Sequence, residues 1–199
     1  TQVIDIELPP IVRLERQGGG ADAIAKAADL LSKAKFPVIL SGAGVVIGGA
    51  IEECKKLAEK LDAPVCNGYQ HNDSFPGSHP LAVGPLGYNG SKAAMELISK
   101  ADVVLALGTR LNPFSTLPGY GIDYWPKNAT IIQVDMNPDR IGLTKKVTVG
   151  ICGDAKQVAQ QILDKLSSDA GNLGRDDRKN LIHKTKSAWL QTLAGLDHE

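Results

Sequence analysis

The sequence lacks an excess of charge of either sign, contains few aromatic residues and has no long apolar run. Only 5% of its 199 residues are aromatic while 43% are hydrophobic, so its core must be built mainly from Ala, Val, Leu and Ile. Lys and Arg together number 22, as do Asp and Glu, and this balance provides no electrostatic attraction to nucleic acid or to an anionic membrane. No apolar segment approaches the roughly 20 residues of a transmembrane helix, and no signal peptide is visible. We therefore expect neither nucleic acid nor a membrane among the partners.

Cysteine is also scarce, and the three cysteines present, Cys54, Cys66 and Cys152, form no CxxC pair. This usage predicts buried small side chains in a reducing compartment, and hence a cytoplasmic location. His71 and His79 share one loop, but they have no third strong ligand at a zinc-like spacing. We therefore predict no metal site, and no Ser/His/Asp or Cys/His arrangement suggests nucleophilic catalysis.

Short apolar runs alternate with amphipathic segments along most of the chain. Strands that alternate with helices are typical of parallel βαβ units, and a run that is apolar throughout indicates a strand buried on both faces. We therefore predict an α/β fold, with a doubly wound, mostly parallel sheet of about six strands and helices on both faces. Individual strands are predicted at 37–41, 63–66, 101–110, 129–135 and 146–151, helices at 21–35, 51–61, 92–101, 155–166 and 181–196, and long loops at 67–90 and 111–128.

The composition changes at both ends of this alternating region. Residues 1–20 carry a Pro pair and a Gly-Gly-Gly break, and residues 167–180 are polar and contain glycine. We therefore predict a nucleotide-fold domain at 21–166, a connector from an N-terminal domain at 1–20, and a connector with one more helix towards a C-terminal domain at 167–199. Because the first residue is Thr rather than Met, we expect the chain to be a piece of a longer protein.

Ligands of open parallel sheets bind at the carboxyl ends of the strands, and the first strand here is followed by glycines. The pattern is GxGxxxG, formed by Gly42, Gly44 and Gly48, rather than the GxGxxG of NAD-binding domains. The second strand ends in Cys66-Asn67, without the acidic residue that binds an NAD ribose, so an ordinary NAD site is not predicted. The glycines are consistent with a phosphate-binding turn, or with a tight turn that simply needs small residues.

Three further strand ends carry polar residues. Arg110, which follows Gly108, is suited to a phosphate or carboxylate, or it is an ordinary arginine at the rim. Asp135 is suited to accept the hydroxyl groups of a ribose, or it forms an Asx turn. Asp154 favours a helix N-cap over a ligand role. Together, four strand ends predict a ligand site at Gly42, Gly44, Gly108, Arg110, Asp135 and Asp154.

Most of the aromatic residues fall in or beside the two long loops. Such clustering in a chain with so few aromatic residues is consistent with a surface that contacts another molecule, or with a hydrophobic plug beneath the loops. The residues concerned are Tyr69, Tyr88, Tyr120, Tyr124 and Trp125.

Several segments resemble, in order and spacing, the central domain of thiamine-diphosphate-dependent enzymes of the acetohydroxyacid synthase and oxalyl-CoA decarboxylase type. The resemblance spans residues 36–155 and rests on FPVILSGAGV, LDAPV, FPGSHPLAVGPLGYNGS, ADVVLALGTRL, IIQVDMNPDRIG and VGICGDA. It implies a three-domain subunit of which this chain is the middle part. The other two domains of the same polypeptide are then the partners, and the full-length protein is a homo-oligomer, either a dimer or a tetramer.

Two loop segments, CNGYQHNDSFPGSHPL and RLNPFSTLPGYGIDYWP, look most like an acetyl-transferring branch of that family. For the full-length enzyme, the resemblance implies conversion of sulfoacetaldehyde and phosphate to acetyl phosphate and sulfite, with thiamine diphosphate and Mg2+ as cofactors. The magnesium motif of the family, GDG with a later Asn, is missing, since the only GD precedes Ala155. We therefore expect both cofactor sites to lie outside this chain, and the chain alone to be inactive.

Relatives hold FAD or ADP in this domain, and the resemblance implies phosphate at Gly108 and Arg110, ribose at Asp135 and the adenine end near Asp154. Two departures disfavour flavin: Tyr88-Asn89 stands where acetohydroxyacid synthases have Met-His, and RLNP keeps the arginine but loses the aspartates. ADP or an empty pocket is therefore preferred over a bound flavin.

Three alternative functions stay open for the chain. They are the central domain of another enzyme of this family, a stand-alone FAD- or ADP-binding module such as that of an electron-transfer flavoprotein, and an assembly domain without a ligand.

Overall fold

The centre of the fold is a sheet of six strands, seen in a computed structural model that describes residues 15–196. The strands are β1 (Pro37–Ser41), β2 (Val65–Asn67), β3 (Ala82–Pro85), β4 (Val103–Leu107), β5 (Thr130–Asp135) and β6 (Val149–Cys152). They all pair in parallel, in the order β3-β2-β1-β4-β5-β6. This is the strand order of doubly wound dinucleotide-binding folds, so the predicted fold class is confirmed.

Helices cover both faces of the sheet. They are α1 (Ala21–Ser32), α2 (Ala43–Gly48), α3 (Ile51–Leu61), α4 (Lys92–Ile98), α5 (Ala155–Lys165) and α6 (Arg175–Leu196). Every residue of β1 and β4 is buried although successive side chains point to opposite faces, and this requires cover on both sides. Helices α1, α2 and α3 contact α5, whereas α4 contacts α6.

Local sequence explains where the helices begin and which faces they bury. Helix α3 buries Cys54, Leu57, Ala58 and Leu61, whose spacing of three and four residues places them on one side. Helix α4 begins after Ser91, as predicted, and the Ser91 hydroxyl accepts a hydrogen bond from the Ala94 backbone N–H at 3.3 Å.

Two elements depart from the prediction. Within the predicted loop 67–90, Ala82–Pro85 forms the edge strand β3, so the loop assignment is wrong there. The turn after β1 contains the short helix α2, which ends at Gly48 and is followed by Gly49 with φ +65° before α3 starts. Neither element has a clear apolar period, because each is short and rich in glycine or proline.

The segment after α5 packs back onto the domain through α6. Arg178 on α6 is buried, and its guanidinium donates hydrogen bonds to backbone carbonyls of other segments, among them Leu61 and Asp62 at the end of α3. Lys186 donates to the Pro80 carbonyl, and the Trp189 ring lies 5.6 Å from that of Tyr120. Helix α6 starts six residues before the predicted 181, since it begins at Arg175. That 167–199 leads to a further domain stays a prediction, and residues 1–14 of the predicted connector 1–20 lie outside the described residues.

The three cysteines differ in exposure, and the prediction that all are buried is wrong for Cys152. Cys152 ends β6 at the sheet edge, where its thiol is exposed and lies 3.5 Å from the Met136 carbonyl oxygen. Cys54 and Cys66 lie in the core. Burial raises the pKa of the Cys54 thiol to about 12, and burial raises the pKa of Cys66 as well.

We expect one fast-reacting thiol in the folded protein. At pH 8, Cys152 should react with an excess of a maleimide, whereas Cys54 and Cys66 should react only after unfolding, because the thiolate is the nucleophile and burial suppresses it. Mass spectrometry of labelled peptides, with and without urea, checks this assignment. Rapid labelling of Cys54 or Cys66 without urea would contradict it.

Candidate ligand-binding site

A cavity of about 620 Å³ opens at the carboxyl edge of the sheet. This volume lies within the range of about 300–1,000 Å³ that is usual for small-molecule sites. The cavity is walled by segments that follow β1, β2, β4, β5 and β6. All six predicted site residues line it: Gly42, Gly44, Gly108, Arg110, Asp135 and Asp154.

The glycines on one wall bring two loops into direct contact. The Gly44 N–H donates to the Gly108 carbonyl at 2.8 Å, and a Cβ on Gly44 would lie 2.7 Å from the Gly108 Cα. A Cβ on Gly42 would lie 2.5 Å from the Thr109 Cβ, and Gly108 itself has φ +60°. Packing of the β1 loop against the β4 loop therefore accounts for these glycines, whether or not a ligand binds beside them.

Asp135 forms the predicted Asx turn and also lines the cavity. Its side chain is buried, and Oδ1 accepts a hydrogen bond from the Asn137 N–H at 2.8 Å, which confirms the Asx turn. Oδ2 accepts no hydrogen bond from residues 15–196, although Asp135 lines the cavity. Oδ1 thus holds the turn, and a contact of Oδ2 with a ribose hydroxyl stays a prediction.

Asp154 is the N-cap of α5, as predicted. Its Oδ1 accepts hydrogen bonds at 3.1 Å from the backbone N–H groups of Lys156 and Gln157. Its Oδ2 lies 3.7 Å from Nη1 of Arg16. Arg110, in contrast, is exposed at the cavity, and its guanidinium forms no hydrogen bond with the described part of the chain.

Gln133 on β5 fixes the loops that carry two cavity arginines. Its buried amide donates to the Thr109 carbonyl at 3.2 Å and to the Arg140 carbonyl at 3.1 Å, while its Oε1 accepts from the Gly142 N–H at 2.9 Å. Thr109 precedes Arg110 in the chain. The Gln133 side chain therefore holds both the backbone next to Arg110 and the backbone of Arg140.

Sequence reasoning missed part of the lining. Arg140 and the segment Gly68–His71 line the cavity, and so does Arg16, which lies in the predicted connector. Arg140 lies shortly after the predicted strand 129–135, and this position could have predicted that it lies at the carboxyl edge of the sheet. Nothing in the sequence pairs Arg16 with this edge of the sheet.

The loop aromatics differ in burial: the predicted hydrophobic plug is seen at Tyr124, whereas a surface that contacts another molecule stays a prediction. Tyr124 is buried, and its hydroxyl donates to the Ser115 carbonyl at 3.4 Å, so it is part of a plug. Tyr69 stacks on Phe114 with ring centroids 5.8 Å apart and meets Tyr88 edge-on at 6.3 Å. Tyr88 and Phe114 are mostly exposed. Tyr88 lies in the loop 86–91 that follows β3, and this loop contributes no residue to the cavity lining.

The described residues offer neither a metal site nor a membrane-spanning helix. No group of three or more His, Cys, Asp and Glu side chains within 15–196 is arranged to hold a metal ion. None of the helices in this part of the chain combines the length and the apolar character that a membrane crossing requires.

The strand order and the cavity at the carboxyl edge define a domain of the doubly wound α/β class. Within that class, a family model described as "Thiamine pyrophosphate enzyme, central domain" matches residues 24–162. The chain therefore belongs to this family, and the resemblance found in its sequence is confirmed.

The chain is similar along its whole length to proteins named as acetyltransferases. It is 78% identical over all 199 residues to a probable sulfoacetaldehyde acetyltransferase of Rhizobium meliloti (strain 1021), of which it covers 34%. It is 73% identical over 199 residues to the sulfoacetaldehyde acetyltransferase of Roseovarius nubinhibens, of which it covers 33%. A probable acetolactate synthase large subunit of Methanocaldococcus jannaschii is 36% identical over 197 residues, which is 96% of this chain and 31% of that protein. The chain thus spans about a third of the length of these curated relatives.

Proposed function

We propose that this chain is the central domain of a sulfoacetaldehyde acetyltransferase. The whole protein would convert sulfoacetaldehyde and phosphate to acetyl phosphate and sulfite, with thiamine diphosphate and Mg2+ bound by its other domains. The main support is sequence identity. The entire chain is 78% and 73% identical to two proteins with that name, but only 36% identical, over 197 residues, to a probable acetolactate synthase large subunit. We further propose that the full-length protein is a cytoplasmic dimer or tetramer.

Residues 15–196 do not fit a magnesium-diphosphate site. Asp154, in the only Gly-Asp pair, uses Oδ1 to cap α5 and holds Oδ2 near the guanidinium of Arg16. A carboxylate in these contacts is poorly placed to bind a metal ion that needs oxygen ligands. We therefore propose that the catalytic steps belong to other parts of the longer protein, and we assign no catalytic residue to this chain.

We propose that the role of this domain is to bind an adenine nucleotide, with ADP preferred over FAD. Support comes from the cavity, which is lined by Arg16, Arg110 and Arg140 and by two aspartates, Asp135 and Asp154, that already accept backbone hydrogen bonds. A cavity with surplus positive charge favours an anionic ligand such as a diphosphate. A flavin needs further room, yet the loop with Tyr88 is held to the Phe114 carbonyl and does not line the cavity.

The reaction is tested in the longer protein and in this chain alone. We expect the full-length protein, supplied with thiamine diphosphate, Mg2+, sulfoacetaldehyde and phosphate, to release acetyl phosphate and sulfite in equal amounts, and this chain to release neither. Acetolactate formation from pyruvate, without acetyl phosphate from sulfoacetaldehyde, would instead favour an acetolactate synthase.

Nucleotide binding is tested by thermal shift with ADP, FAD and CoA, and with thiamine diphosphate plus Mg2+ as the negative control. A ligand at about 100 times its Kd adds roughly 2.7 kcal/mol to the free energy of unfolding, which a melting curve resolves readily. A shift with ADP supports the proposal. A yellow protein that retains FAD on purification would favour the flavoprotein module, and no shift with any nucleotide would favour an assembly domain.

Asp135→Asn should weaken ADP binding by at least about tenfold, because a carboxylate that accepts ribose hydroxyls contributes roughly 1.5–3 kcal/mol. The amide oxygen still accepts from the Asn137 N–H, so the unliganded protein should keep its melting temperature. Asp135→Ala, which loses the Asx turn as well, should lower both the affinity for ADP and the melting temperature of the unliganded protein. Calorimetric titration with ADP measures the affinity, and an unchanged Kd in Asp135→Asn would remove Asp135 from the site.

A further inference from the structure

Arg16 lies before α1 but belongs to the wall of the cavity. Its Nη1 donates to the Gly48 carbonyl at 2.6 Å and lies 3.7 Å from Oδ2 of Asp154. Gly48 and Asp154 both line the cavity, as Arg16 does. These contacts fasten a segment that precedes the first helix to residues that follow β1 and β6.

The contacts of Arg16 use only part of its guanidinium. An arginine has five N–H donors, and the Nε and Nη2 groups of Arg16 donate to no acceptor in residues 15–196. The side chain is 51% exposed although it is anchored at Nη1. The remaining edge, formed by Nε and Nη2, has the geometry that binds two oxygens of a phosphate or carboxylate.

The segment around Arg16 is tied to the same end of α5. The Asp154 N–H donates to the Gln17 carbonyl at 2.7 Å, and a Cβ on Gly153 would lie 2.9 Å from both the Gln17 carbonyl and the Gly19 N–H. Residues 15–20 are therefore in close contact with a cavity wall. A ligand held by Arg16 would meet this segment as well as the strand ends.

We propose that Arg16 is a ligand-binding residue of the cavity and that it recognises a phosphate of the bound nucleotide. This inference rests on the proposed nucleotide-binding role. It adds a contact from outside the strand ends and links the ligand to the segment 15–20. Since such coupling is reciprocal, ADP steadies this segment to the same extent that a correctly placed segment strengthens ADP binding.

The test compares Arg16→Met and Arg16→Lys with a control at Lys156. Lys156 follows the same N-cap and has a side chain 49% exposed, but it does not line the cavity. Calorimetric titrations with adenosine and with ADP separate contacts to the nucleoside from contacts to phosphate. Hydrogen exchange of residues 15–20, with and without ADP, measures the coupling in the unmodified chain and in Arg16→Met.

We expect Arg16→Met to raise the Kd for ADP at least about tenfold and to leave the Kd for adenosine unchanged. Arg16→Lys should bind ADP with intermediate affinity, since it keeps the charge without the planar fork. Lys156→Met should bind ADP like the unmodified chain. ADP should slow hydrogen exchange of residues 15–20 in the unmodified chain but not in Arg16→Met.

Three outcomes overturn the inference in distinguishable ways. An ADP affinity of Arg16→Met within twofold of the unmodified chain removes Arg16 and leaves the nucleotide site standing. Equal weakening of adenosine and ADP binding shows that Arg16 shapes the cavity without contacting phosphate. An unmodified chain that binds neither adenosine nor ADP overturns the proposed nucleotide function, and the assignment of Arg16 with it.

Discussion

Replacing Arg178 with methionine should lower the free energy of unfolding by about 4 kcal/mol, an unusually large effect for one substitution. The residue is 1% exposed, and all five of its N–H groups donate to backbone carbonyls. Burial lowers the pKa of Arg178, because desolvation disfavours the charged guanidinium. The acceptors are the carbonyl oxygens of Lys35, Leu61, Asp62, Gly171 and Leu173, at 2.5–2.9 Å.

The cost arises because these carbonyls lie in three separate segments. Leu61 and Asp62 end α3, Lys35 follows α1, and Gly171 and Leu173 precede α6. Methionine fills part of the space but leaves the buried acceptors without donors. Equilibrium unfolding in urea, followed by circular dichroism, measures the loss.

Arg175 on the same helix provides the control. Its side chain is 38% exposed and pairs with Asp62. Arg175→Met should cost less than about 1 kcal/mol, because partly exposed ion pairs contribute little. Arg178→Lys should fall between the two, since lysine keeps the charge but has three donors instead of five. A loss below about 1 kcal/mol in Arg178→Met would show that water replaces the guanidinium.

Gly108→Ala should lower the free energy of unfolding by about 3 kcal/mol, the second large effect we expect. Gly108 has φ +60°, which disfavours any side chain, and a Cβ there would lie 2.8 Å from the Cα of Gly44 and from the Val45 nitrogen. These atoms belong to a backbone held by the hydrogen bond from Gly44 N–H to the Gly108 carbonyl, so they cannot easily move apart.

Gly49→Ala separates the two causes. Gly49 has φ +65°, but a Cβ on it would meet nothing within 4 Å. This substitution should therefore cost only about 1 kcal/mol, the backbone contribution alone. Urea unfolding of both variants gives the comparison. If Gly108→Ala and Gly49→Ala lose similar free energies of unfolding, the loops that follow β1 and β4 can move apart without a measurable cost.

Much of the fold follows from local pattern, because its central strands carry unbroken apolar runs. Val103–Leu107 and Pro37–Ser41 were predicted within a few residues for this reason. Strand Ala82–Pro85 was not predicted, since Gly84 and Pro85 are typical of loops. It becomes a strand by pairing with Val65–Asn67, a contact that no local pattern contains.

The convergence of the six predicted cavity residues could be predicted for a different reason. Parallel strands place their carboxyl ends at one edge, so residues that follow separate strands must meet there. Arg16 and Arg178 could not be found this way. Each stands in a polar, glycine-containing stretch and resembles a surface charge, and only contacts far along the chain give it a role.

Strand β3 also limits how copies of this domain can aggregate. A sheet edge with free N–H and C=O groups is a template onto which a strand of another molecule can add. At this edge Gly84 has φ +91° and Pro85 has no N–H group, so the ladder that a foreign strand requires is interrupted after two residues. We therefore expect edge-to-edge pairing on this side to be disfavoured by the same glycine and proline that make the strand hard to recognise in the sequence.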